Sequence, residues 1–233
     1  MSDLLNVQNA KTIKGEKLGY RTHILYFPSG NKSGREVCPN RTEACFKYCL
    51  DNAGRGRMQA VIDARIRKTR LYFNSPPMFN ALLNKEVHRA IANKHKRALN
   101  LCFRLDGTSD LGFGIKAAKA HPTAQFYDYT KNPVTMRQFA AGELPLNYHL
   151  TFSHSETNRD DCRYALENGV NVAVPFVGDW NGAPYPETFL GFPTIAGDTH
   201  DLRFLDPSPS VVALKAKGYL SKDYSGFAVR PDA

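Results

Sequence analysis

The chain has 233 residues, and 31 Lys and Arg against 22 Asp and Glu leave a formal charge of +9. That length suits one domain or a tightly fused pair with a real core, and 42% hydrophobic with 23% charged residues excludes wholesale disorder. No stretch approaches the roughly 18–20 apolar residues of a membrane span, and the opening Met-Ser-Asp-Leu-Leu-Asn lacks a signal-peptide pattern, so a cytosolic protein is expected.

The first expected strand covers residues 20–27, β-rich and closed by Pro28-Ser-Gly30. A loop over 28–50 follows, and then a basic helical segment over 51–98. In that segment Met58, Val61, Ile62 and Ile66 fall at helical spacing, as do Phe79, Leu82, Leu83, Val87 and Ile91. Ser75-Pro-Pro77 divides the two helices, because a proline pair ends one helix and starts the next. Further strands are expected over 99–105, 124–128, 148–152, 170–176, 193–196 and 211–214. Shorter helices are expected over 115–120 and 160–167, the second stopped by Asn168-Gly169.

Strands alternating with helices imply a mainly parallel sheet with right-handed crossovers. About six such units are too few for an eight-stranded barrel. The expected fold is therefore a single α/β domain over 1–233, a partial (β/α) barrel of about six mainly parallel strands or an open doubly wound sheet. No Gly-x-Gly-x-x-Gly follows a strand and no Walker-type Gly-Lys-Ser/Thr occurs, which speaks against a standard dinucleotide or P-loop site.

Charge is uneven along the chain. Residues 51–100 hold 11 basic and 3 acidic side chains, whereas 151–200 hold 2 and 7. Arg55, Arg57, Arg65, Arg67, Lys68 and Arg70 form the densest run, and Lys94, Lys96 and Arg97 close the second helix. Such density suits phosphate, which Arg grips bidentately. Tyr72, Phe73 and Phe79 interleave with it and read either as base-stacking rings or as core. A nucleic-acid partner, DNA or RNA, is expected.

Cys38, Cys45 and Cys49 crowd into twelve residues. In a reducing compartment such a group favours metal over disulfides, and thiolates are the soft ligands of zinc and of iron–sulfur clusters. No histidine lies between His23 and His88, so a fourth zinc ligand would have to be Cys102 or Cys162. Three cysteines alone suit a 4Fe–4S cluster with one open iron. Iron–sulfur, zinc and plain buried thiols are the three readings.

Polar residues fall at the carboxyl ends of the expected strands, where ligands gather in parallel α/β folds. They are Asp106 and Asp110, Asp128 with Lys131, then Ser153, His154 and Glu156, then Asp179 and Trp180, and last Asp198, His200 and Asp201. Asp106, Asp110, Asp128, Asp198 and His200 are the candidate catalytic groups. The competing reading is turn and cap chemistry, to which Asp-Gly and Gly-Asp belong. No Ser-His-Asp order and no zinc-protease signature occurs.

A cysteine triad in the loop after the first strand resembles the radical S-adenosylmethionine enzymes. The spacing here is Cys-x6-Cys-x3-Cys where that family usually has Cys-x3-Cys-x2-Cys. The resemblance implies that Cys38, Cys45 and Cys49 hold a 4Fe–4S cluster and that the open iron binds the methionine end of S-adenosylmethionine. Tyr48 stands where that family carries an aromatic residue before its last cysteine. Asp106 or Asp110 stands where it often has Gly-Gly-Glu for the cofactor's amino group.

A second resemblance covers more of the chain. Asn9-Ala-Lys-Thr-Ile-Lys-Gly15, Cys38-Pro, Cys49-Leu, Arg104-Leu-Asp-Gly-Thr-Ser-Asp110, Phe126-Tyr-Asp-Tyr-Thr-Lys131, Asn147-Tyr-His-Leu-Thr-Phe-Ser153 and Gly197-Asp-Thr-His-Asp201 resemble the gene product 88 family of bacteriophages. That implies a phage or prophage origin and a place in a bacterial cytoplasm. The combined expectation is a 4Fe–4S protein that binds nucleic acid. The rivals are a radical S-adenosylmethionine enzyme acting on a nucleotide or peptide, and a zinc-stapled host-interaction protein.

Overall fold

The computed structural model describes residues 3–7, 10–93 and 99–231. Its elements in chain order are β1 (Leu5–Asn6), α1 (Ala10–Glu16), β2 (Tyr20–Leu25), α2 (Glu43–Lys47), α3 (Gln59–Asn74), α4 (Pro76–Ala92), β3 (Asn100–Arg104), α5 (Phe113–Ala120) and β4 (Gln125–Thr130). There follow α6 (Pro133–Ala140), β5 (Tyr148–Ser153), α7 (Arg159–Glu167), β6 (Val172–Phe176), β7 (Thr188–Phe189), β8 (Phe192–Ala196) and β9 (Val211–Lys215). All seven expected strands are present, and the α3–α4 break falls at Ser75 with Pro76 opening α4. Among the described residues the sequence reading missed the two-residue strands β1 and β7 and the helices α1, α2 and α6.

Nine strands form one sheet in the order β1-β2-β3-β4-β5-β6-β9-β8-β7. Pairing is parallel for β2–β3, β3–β4, β5–β6, β6–β9 and β8–β9, and antiparallel for β1–β2 and β7–β8. The order has two edges, so the fold is mixed α/β with a mostly parallel, open sheet and no barrel closure. β9 enters between β6 and β8 after the β7–β8 hairpin has been laid down.

The chain divides into two compact units. The first comprises Met1–Pro39, Cys49–Asp128 and Pro145–His149. Its core gathers Phe27, Tyr72, Phe79 and Phe113, with ring centroids 5.0–6.0 Å apart. Edge-on and tilted pairs of this kind add to the burial of each ring. Tyr72 and Phe79 are therefore core residues and not rings offered to bases, while Phe73 packs edge-on against Tyr72 at 4.9 Å.

The second unit comprises Asn40–Tyr48, Tyr129–Leu144 and Leu150–Ala233. Its strands β6 and β9 are near-continuous apolar runs, Val172–Phe176 and Val211–Lys215, with all of β6 buried. Such runs mark strands covered on both faces.

Candidate functional site

The segment after β2 is fixed in part by a buried acid, Asp51. Asp51 accepts from Ser29 N at 3.0 Å and Ser29 Oγ at 3.1 Å, pairs with Lys32 at 3.0 Å and binds the Arg65 guanidinium. Burial opposes its charge, but these donors and cations hold its carboxyl below the usual range. Further along, Asp110 N donates to Val37 O at 2.8 Å, and the Cys38 thiol lies 3.5 Å from Thr108 O. Thr108 Oγ1 in turn donates to Phe27 O.

Cys45 lies on α2. Thr42 caps that helix by accepting from Cys45 N at 3.2 Å. Glu156 accepts from Thr42 Oγ1 at 2.8 Å and from Ala44 N at 3.2 Å, which seats the start of α2. Tyr48 is half-buried and stacks on Phe227, with centroids 6.4 Å apart and planes at 21°. Cys49 opens the short 3₁₀ turn Leu50–Asn52.

Cys38, Cys45 and Cys49 are all half-buried thiols outside any disulfide. Among the described residues no group of three or more His, Cys, Asp or Glu side chains is placed to hold a metal ion. Cys102 and Cys162 are buried. Cys102 Sγ lies 3.3 Å from Thr22 Oγ1 inside the β2–β3 pair, and burial pushes the Cys162 thiol up to about 12. Either would have to leave an enclosed position to complete a four-cysteine zinc site.

The strand-end acids turn mostly inward. Asp106 Oδ1 accepts from Ser109 Oγ at 2.7 Å and Leu111 N at 3.0 Å, and Oδ2 accepts from Phe113 N at 2.9 Å. Asp106 thus folds the loop between β3 and α5 around its own carboxylate. The residue expected to serve in catalysis or to hold a cofactor's amino group thus has both carboxylate oxygens bonded within that loop. Asp106 N donates to Asp128 Oδ1 at 2.8 Å, while Asp128 Oδ2 is buried without a hydrogen-bond partner. Burial and the neighbouring Asp106 carboxylate push the Asp128 carboxyl well up. Burial raises the Asp106 carboxyl too, though the donors from Leu111, Ser109 and Phe113 oppose the shift.

In the second unit Asp198 Oδ2 accepts from Lys215 N at 2.9 Å and Oδ1 pairs with Lys217 Nζ at 3.3 Å. His200 Nδ1 accepts from Leu202 N at 3.2 Å, and its Nε2 faces Asp206 at 3.9 Å. Arg203 is fully buried, with Asp206 at 3.2 Å as counter-ion. These groups, which include the catalytic candidates Asp198 and His200, brace the turn after β8. His154 is buried against Phe227 O at 3.2 Å, and burial lowers its pKa to about 4.

The basic run begins in the 3₁₀ turn Gly54–Arg57 and continues on α3, where it separates into two faces. Lys68 is buried, and its ammonium donates to Leu4 O; burial lowers its pKa to about 8. Arg65 is bound to Asp51 and lies 4.9 Å over the Tyr26 ring. Of the expected phosphate set, these two have their charged groups engaged inside the fold. Arg55, Arg57, Arg67 and Arg70 are exposed. Lys94, Lys96 and Arg97 lie outside the described residues.

Comparison with known proteins bears on this arrangement at one point. The family described as Gene product 88 matches residues 3–231, nearly the whole chain. The chain belongs to the gene product 88 family. No curated protein and no solved structure matches it. The phage affiliation read from the motifs is therefore shown, and the chemistry of this gene product 88 protein has to be argued from its own residues. Among its described residues no helix is long and apolar enough to cross a membrane.

This gene product 88 protein also has a cavity of about 390 Å³ lined by Leu5, Arg21, His23, Glu86, Arg89 and Leu101 among others. Its charges are already matched. Arg21 pairs with Glu16 at 3.6 Å and Arg89 with Asp3 at 3.0 Å, while Glu86 accepts from Leu4 N and Leu5 N. Nothing in that lining selects a charged ligand. Sequence reasoning missed Asp51 and did not see Glu156 as a helix clamp, since both act through contacts distant in the chain.

Proposed function

We propose that this gene product 88 protein is an iron–sulfur protein, with Cys38, Cys45 and Cys49 holding a 4Fe–4S cluster as a structural or redox element. It binds nucleic acid through the exposed Arg55, Arg57, Arg67 and Arg70. The observation that carries the reading is the contrast among its five thiols. The three within twelve residues are part-exposed and outside any disulfide, whereas Cys102 and Cys162 are enclosed. Metal ligands need not be gathered before the metal arrives, because binding and local folding are coupled. When bound, the cluster supplies electron transfer or a fixed crosslink of the loop.

The radical S-adenosylmethionine reading has less support, since Asp106 is taken up by its own loop. The partial-barrel form belongs to that same reading, with which an open, mostly parallel sheet is compatible. Zinc would need a fourth ligand beyond the three cysteines, and Cys102 and Cys162 are enclosed.

Two sets of variants test the proposal. Cys38→Ala, Cys45→Ala and Cys49→Ala each lose iron in protein purified without oxygen, and Cys162→Ala retains it; equal loss at Cys162 overturns the ligand set. The second set addresses the arginines. Arg67 and Arg70 lie three apart on α3 and share a face. Changing both to Glu weakens binding to all oligonucleotide sequences alike, because phosphate contacts carry no sequence information. The slope of log K against log salt flattens by about 1.5, at 0.7–0.9 per phosphate contact. An unchanged slope in a folded double variant removes this face from the account.

A further inference from the structure

The last part of the second unit carries a surface that neither the cysteines nor the α3 arginines use. After β9 the chain passes through a 3₁₀ turn, Gly218–Lys222, and a tight turn at Asp223, before Val229 bridges to Phe176. Leu220 anchors the segment by packing on Val177, Ala216 and Ala228. Asp223 is buried and accepts from Ser225 N at 3.0 Å, Ser225 Oγ at 2.7 Å and Ala228 N at 2.8 Å.

On this anchored frame two rings stand in solvent. Tyr219 is 78% exposed and Tyr224 83%. Arg230 donates from Nε to Asp223 O at 2.7 Å and from Nη2 to Ser221 O at 2.8 Å. Its guanidinium is thereby held 4.0 Å from the centroid of the Tyr224 ring. Lys215 and Lys222 of the same segment are exposed, and Lys217 is exposed but paired with Asp198 at 3.3 Å. From 215 to 230 the one acid is Asp223, and it is buried. The segment itself therefore presents aromatic and basic groups and no exposed carboxylate of its own.

We propose that this surface binds single-stranded nucleic acid, with unpaired bases stacking on Tyr219 and Tyr224 and the phosphates met by Lys215, Lys222 and Arg230. Ordered rings beside a positive track are what sequence-tolerant single-strand binding needs. Arg230 is already fixed by two carbonyls, so ordering it on binding costs little. Duplex bases are stacked on one another and present no free face to a ring. Charge complementarity selects a polyanion, and the rings select one with planar groups.

The inference rests on the nucleic-acid reading above and narrows it to a strand type and a second surface. Its test uses the full chain, a labelled 20-nucleotide oligo(dT) and a duplex of equal length. Tyr219→Ala with Tyr224→Ala weakens oligo(dT) binding about thirty-fold, at the low end of stacking energies for two bases. Duplex binding and the salt slope stay as they were, and the corresponding Phe variant binds oligo(dT) like the unchanged protein. An oligonucleotide carrying 5-iodouracil crosslinks at Tyr219 or Tyr224. If the unchanged protein binds neither probe, the nucleic-acid reading falls and the inference with it. If it binds oligo(dT) but the double variant loses nothing, or loses duplex binding equally, the inference alone falls. Both tyrosines are exposed, so the variants keep the fold.

Discussion

Replacing Asp106 with alanine is expected to destabilise the protein by about 4 kcal/mol, a large part of the roughly 5–15 kcal/mol that holds a domain together. The change strands Ser109 Oγ and the N–H groups of Leu111 and Phe113, all of which donate to Asp106 at 2.7–3.0 Å. Each buried donor left without a partner costs roughly 1–3 kcal/mol. The loop they shape also receives the Cys38 thiol at Thr108 O, so the damage reaches the cysteine segment. Asp128→Asn, one hydrogen bond away, behaves in the opposite way. The raised Asp128 pKa contributes stability below its ordinary value of 3.8, and that stability is lost as pH rises through the folded-state value. A neutral amide keeps the acceptor for Asp106 N and removes this pH dependence. Urea unfolding at several pH values checks the pair. A mild Asp106→Ala beside a severe Asp128→Asn would contradict these roles of the two carboxyls.

Gly114→Ala is expected to lower stability by about 3 kcal/mol, although alanine in a helix normally gains about 1 kcal/mol over glycine. A Cβ at residue 114 overlaps the Asp128 carboxyl and comes within 2.7 Å of the Tyr148 ring. All three groups are buried, so the neighbours cannot yield without leaving their own packing. For a chain of this length the loss corresponds to a fall in Tm of roughly 6–12 °C. A thermal melt in which Gly114→Ala is as stable as the unchanged protein would mean that Asp128 does not lie against α5.

The strands were legible because apolar β-branched and aromatic runs end at turn residues, as at Pro28-Ser-Gly30. The α3–α4 break was legible because Pro76 and Pro77 leave no other choice. Strand order was not legible, since the return of β9 between β6 and β8 depends on pairings far apart in the chain. Helix α6 did leave a signal. Asn132 caps it by accepting from Val134 N and Thr135 N, with Pro133 at the first position. The two faces of α3 were also readable in principle: Arg65 and Lys68 share the inner face three residues apart, and Arg67 and Arg70 share the outer one.

The strand-end acids show where sequence position stops being informative. Asp106 and Asp128 do sit at the ends of β3 and β4, where ligands gather in such sheets. Whether a carboxylate there faces a ligand or its own loop depends on the following turn, and Gly107-Thr-Ser-Asp110 folds back onto Asp106. His200 and Asp198 were likewise flagged by position and are taken up by the turn after β8. The cysteines differ, because their spacing in sequence and the exposure of their thiols point the same way.

The central claim is the cluster, and the most direct measurement is iron and acid-labile sulfide in protein purified without oxygen, with its absorption spectrum. The account predicts a brown protein holding about four irons and four sulfides per chain, bleached by dithionite or by air. A colourless protein with no iron after anaerobic purification and attempted reconstitution, or one carrying a single stoichiometric zinc, would contradict it.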